Sequence, residues 1–89
     1  MHKDQAVILK ELEEASKQVQ VNGLYYHYKN PDLKYKAINL AITEADDEVC
    51  VIYQAQYGAK LIFVRPLASW LEKVEWENKK LDRFTLTTN

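Results

Sequence analysis

Two arginines stand among ten lysines, and both sit where the pattern of the chain changes: Arg65 just before Pro66, Arg83 at the head of the last apolar stretch. A planar guanidinium fork suits paired contacts to a carboxylate or phosphate, so arginines at such junctions point to an anion pocket or to internal pairs that fix a corner. Pro66 disfavours the helical conformation at Arg65 and keeps it extended. Together with His27 the two arginines form one candidate anion or carboxylate site; pairing with Glu48 or Glu72 would make them structural braces instead. His27 alone lacks the company that catalysis requires, because no Gly-rich elbow and no Ser, Cys and His arrangement accompanies it. Cys50 offers no recognisable ligand spacing for zinc, and His2 lies in a terminus expected to fray. The expectation is a non-enzymatic chain with no metal and no cofactor.

Tyr25, Tyr26, Tyr28 and Tyr35 are interleaved with Lys29, Lys34 and Lys36, a local basic and aromatic exception in a chain of formal net charge -1. Aromatic faces beside cations suit a peptide laid in a groove, or single-stranded nucleic acid held by stacking and phosphate contacts. Strand alternation sets Tyr25 and His27 on one face and Tyr26 and Tyr28 on the other, so only one pair is exposed and the core takes the second. The predicted binding residues are Tyr25, His27, Lys29, Arg65 and Arg83. The acidic cluster Glu44, Asp46, Asp47 and Glu48 lacks the spacing and the glycine of a calcium loop and reads as a solvated hairpin tip.

The elements that must position these groups follow from periodicity. Between residues 4 and 19, Ile8, Leu12, Ala15 and Val19 recur at helical spacing, and Asp4 can cap the N-terminus. Residues 1–20 are therefore assigned to an amphipathic helix and 21–89 to a β domain. Gly23 to Lys29 reads as an aromatic strand, and Asn30-Pro31 as a turn. Tyr35 to Thr43 alternates with Ile38, Leu40 and Ile42 on the buried face, and Glu48 to Tyr57 places Val49, Val51, Tyr53 and Ala55 on one side. A short apolar strand from Lys60 to Arg65 ends at Pro66; Leu67, Trp70, Leu71 and Val74 predict a helix over 66–74. A polar stretch from Glu75 to Asp82 then leads to a last strand, Arg83 to Thr87. Five short strands without βαβ spacing predict a mainly β fold, a small SH3-like antiparallel barrel with an added N-terminal helix and a helical turn before the last strand.

At 89 residues the chain holds one domain with a small core, and 47% hydrophobic and 28% charged residues favour neither disorder nor a fibre. The near-neutral balance removes the global footprint of a duplex binder or a polybasic membrane protein. A single cysteine inside an apolar run, no signal-peptide core and no membrane-length apolar segment predict a cytoplasmic protein. The expected partner is a protein or peptide, with nucleic acid as the alternative and a homodimer through the helix as a third reading.

The ordered motifs Gly23-Leu24-Tyr25-Tyr26-His27-Tyr28-Lys29, Tyr53-Gln54-Ala55-Gln56-Tyr57-Gly58, Phe63-Val64-Arg65-Pro66-Leu67 and Arg83-Phe84 resemble the bacterial domain-of-unknown-function 1653 family over roughly Gly23 to Leu86. The resemblance implies a small SH3-like barrel and brings no activity, cofactor or catalytic residue. The chain departs from the family pattern at Thr43-Glu44-Ala45-Asp46, where relatives carry His-Ser-Glu-Thr, and at Phe63, where they carry Trp.

Overall fold

The computed structural model describes residues 3–87, so His2 lies outside the described residues. Helix α1 (Gln5–Gln18) begins where the Asp4 carboxylate accepts the Ala6 N–H at 3.2 Å, and it ends as Val19 turns extended. Its inward stripe is the predicted one: Ala15 and Val19 are buried, and Ile8 and Leu12 half-buried.

The main sheet contains β1 (Leu24–His27), β2 (Asn30–Ile42), β3 (Val49–Ala55), β4 (Ile62–Pro66) and a final strand, here β7 (Phe84–Leu86). Their order is β4-β3-β2-β1-β7, antiparallel throughout. The five antiparallel strands of this sheet agree with the predicted mainly β architecture, but β4 and β7 remain separate edges, so the sheet is open and not a closed barrel. Gly23 leads into β1 where the chain passes closest to its surroundings; an added Cβ would lie 2.8 Å from Leu86 Cδ1 and 2.9 Å from the Gln20 carbonyl. The core gathers Val19, Tyr25, Ala37, Val51, Tyr53, Trp70 and Phe84. At its centre the rings of Trp70 and Phe84 stack at 3.9 Å, with Tyr25 and Tyr53 edge-on to Trp70 at 5.2 and 5.0 Å.

Five further sequence expectations need correction. The buried face of β2 changes phase at a bulge: Tyr35 pairs with Ala55 and Ala37 with Tyr53, but beyond the irregularity between Ala37 and Asn39 it is Leu40 and Ile42 that face Val51 and Val49. Ala37 therefore enters the core, while Ile38, the extra residue, is only half-buried, as is Ile42. Asn30-Pro31 opens β2 and is not the turn. The chain reverses at Tyr28 and Lys29, and residues 31–33 are surplus in the β1–β2 register, where a missing N–H costs no ladder bond.

The helix predicted over 66–74 stops after one turn as α2 (Leu67–Trp70). Val74 lies instead in β5 (Lys73–Trp76), paired with β6 (Lys79–Asp82) as a separate hairpin in the stretch read as polar connection. Its two loop residues, Glu77 and Asn78, have φ of 52° and 66°, the positive pair that a tight primed turn demands. No glycine announces it. Finally, the acidic tip is not wholly solvated: Asp47 is 7% exposed and accepts the Lys3 backbone N–H at 2.8 Å, while Lys3 Nζ bridges Glu11 at 3.1 Å and Glu48 at 2.7 Å.

Candidate functional site

Phe84 is in contact with two of the predicted binding residues and follows a third in the chain. Arg83 precedes it in the chain, the His27 ring lies edge-on to it at 5.1 Å, and the Arg65 Cζ stands over its face at 5.3 Å. The strands explain the meeting, since His27 and Phe84 are ladder partners between β1 and β7, and Arg65 closes β4 just before α2 brings Trp70 against Phe84.

The two arginines are held differently. Arg83 Nη2 donates to Glu72 Oε1 at 2.5 Å, one of the two internal partners anticipated, and its Nε is buried without a partner among the described residues. Arg65 makes no ion pair with any carboxylate among the described residues: Nη1 donates to Ser69 Oγ at 2.9 Å and Nε to the Tyr53 hydroxyl at 3.4 Å. Glu48, its other anticipated partner, is engaged by Lys3. Arg65 is half-buried, so its charge is partly desolvated beside the two neutral oxygens and the Phe84 ring face.

His27 reports the resulting field. Desolvation, then the charges of Arg65, Arg83 and Lys29, hold its pKa below the ordinary histidine value. Its Nδ1 accepts the Lys29 backbone N–H at 3.3 Å. On the other flank Tyr35 and Tyr57 share a hydroxyl–hydroxyl bond of 2.5 Å; burial first, and that bond second, push the Tyr35 phenol up to about 12.

Of the predicted binding residues, His27, Arg65 and Arg83 come together. Tyr25 belongs to the core at 5% exposure, its hydroxyl accepting the Gln20 N–H at 2.8 Å. Lys29 is exposed at the β1–β2 reversal, its ammonium 5.9 Å from the Tyr28 ring centre, and Lys34 makes the analogous contact with Tyr26 at 5.6 Å. Tyr53, Tyr57 and Ser69 were not foreseen as partners. In the sequence Tyr53 marks one side of a strand and the start of a family motif, and a hydroxyl four positions beyond Arg65 across a proline has no periodic signature. A groove of about 570 Å³ lies elsewhere: Val7 and Ala15 of α1 face Cys50, Pro66 and Leu67 across it.

A family model described as a protein of unknown function (DUF1653) matches residues 23–86. A crystal structure of a DUF1653 protein from Bordetella bronchiseptica is similar at 36% identity and a TM-score of 0.64, covering 75% of this chain and 86% of that one. No curated protein matches. The matched segment takes in His27, Arg65 and Arg83 and leaves α1 outside it.

Proposed function

We propose that this chain, which belongs to the DUF1653 family, is a non-enzymatic binding module that takes a peptide or protein on the aromatic and basic face around Arg65. The observation that carries the reading is the Arg65 guanidinium, which has no carboxylate partner among the described residues and is oriented by Ser69 and Tyr53 over Phe84, in a positive field that Arg83 shares and the lowered His27 pKa registers. A planar cation held by neutral groups is prepared for a carboxylate, which would accept from its fork and relieve the repulsion felt at His27. The side chain of Asp or Glu, or a peptide C-terminus, supplies that group, and the exposed rings of Phe63 and Tyr57 offer apolar contact beside it. The buried free thiol of Cys50 fits a reducing, cytoplasmic setting.

The test is an NMR titration of the full chain with short acidic peptides and their Asn or Gln counterparts. Joint shifts of the Arg65 side-chain N–H and the His27 ring with the acidic peptides alone are expected, and they should vanish in Arg65→Gln. Equal response to acid and amide, or none, removes the proposal. A second reading, single-stranded nucleic acid on the β1–β2 reversal, is favoured by the Lys29–Tyr28 and Lys34–Tyr26 contacts. It predicts shifts at those four residues, weakening steeply with salt.

A further inference from the structure

We infer that β4 is a self-association edge, to which a second copy of this chain adds antiparallel about a two-fold axis passing at Phe63. It rests on the strand edge and not on the Arg65 site, although it places Phe63, the apolar contact beside that site, on the dimer axis. Sheet edges are ordinarily blunted by charge, proline or a bulge. Here Leu61, Ile62, Phe63 and Val64 run consecutively at 60%, 61%, 39% and 62% exposure, and the register with β3 is unbroken from Ile62 to Pro66. Pro66 stands only at the end of the stretch.

The backbone phase limits the register. Ala55 N–H donates to the Leu61 carbonyl at 3.0 Å, and polar groups alternate sides along an antiparallel ladder, so Phe63 and Arg65 also address β3 while Ile62 and Val64 turn their N–H and C=O outward. The missing N–H of Pro66 falls on that same free side, where β3 loses nothing. Setting Ile62 of each copy opposite Val64 of the other pairs outward groups with outward groups and places the two Phe63 residues on the axis.

Charge is compatible with the same arrangement. In this register Arg65 lies opposite Leu61, whereas a slip by one residue would set Lys60 opposite Arg65 and match outward groups with inward ones. Residues 61–64 carry no polar side chain with which to select a foreign sequence, but their apolar pattern matches itself. On the outer face, Ile62 and Val64 of both copies would close one apolar strip continuous with the half-buried Ile52. The apolar stripe of α1 is occupied by its own sheet, which moves the expected homodimer contact from the helix to β4.

Sedimentation equilibrium of the full chain across a concentration series, with amide hydrogen exchange at its two ends, tests the inference. The expected result is a reversible dimer in which the Ile62 and Val64 amides are protected and lose protection on dilution, and loss of that dimer in the double variant Ile62→Lys, Val64→Lys with its melting temperature retained. If the variant fails to fold, protection in the parent decides. A parent monomeric to millimolar concentration, a dimer with those amides unprotected, or a dimer that survives both folded lysine substitutions overturns it.

Discussion

Arg65 and Arg83 share a side chain and differ in what they touch, and that difference separates a brace from a candidate contact. Removing the Arg65 charge relieves part of the field at His27, so Arg65→Gln should raise the His27 pKa, while Arg65→Lys should leave it low; a ring-proton titration by NMR reads both. An unchanged His27 in Arg65→Gln would put the site's electrostatics elsewhere. Trp70 is the opposite kind of residue, 3% exposed and in ring contact with Phe84, Tyr25 and Tyr53. Trp70→Ala should cost about 3–5 kcal/mol in a denaturant titration, enough to threaten a domain of this size. Both roles were partly legible. The Trp70 position follows from apolar spacing, and Glu72 stood among two anticipated arginine partners. The hold of Ser69 and Tyr53 on Arg65 was not legible, because it depends on α2 turning once and stopping.

Among the elements, α1 was the most readable, since four inward positions at helical spacing and an Asp cap reinforce one another. β2 was readable in type and not in phase, because a bulge moves side chains across the sheet without altering composition. The β5–β6 hairpin was missed because Glu77-Asn78 adopts a turn that sequence ordinarily marks with glycine. The helix position yields its own prediction. Cys50, 2% exposed, borders the groove beneath α1, and burial, followed by the charges of Asp46 and Glu48, pushes its thiol up. Deleting residues 1–18 should uncover it, accelerating reaction with an aromatic disulfide reagent by roughly tenfold or more and lowering solubility. Equal thiol reactivity and solubility in the truncated chain would make α1 dispensable to the sheet.

At the scale of the molecule these local fields fix the pH limits of the fold. His27 is depressed in the folded state, so between the ordinary histidine value and its lower folded one the unfolded chain holds more protons, and stability falls as pH drops through that window. Tyr35 acts at the other end. The unfolded phenol ionises near 10 and the folded one at about 12, so stability falls as pH rises across that interval. Lys3 adds to the alkaline limb: its pKa is raised first by Glu48 and then by Glu11, and the stabilisation, complete below 10.5, is lost as pH climbs through the higher folded value. Melting temperature against pH should therefore trace a plateau with an acid shoulder and an alkaline fall. His27→Gln should flatten the first and Tyr35→Phe the tyrosine part of the second, leaving the Lys3 part in place. A bound acidic peptide should raise the whole profile by mass action and in addition shrink the acid shoulder, because a carboxylate at Arg65 returns the His27 pKa toward its ordinary value and so narrows the window in which the two states differ in protons. An acid shoulder that persists in His27→Gln would assign the loss to other groups, and one indifferent to a peptide that demonstrably binds would separate the peptide's site from His27.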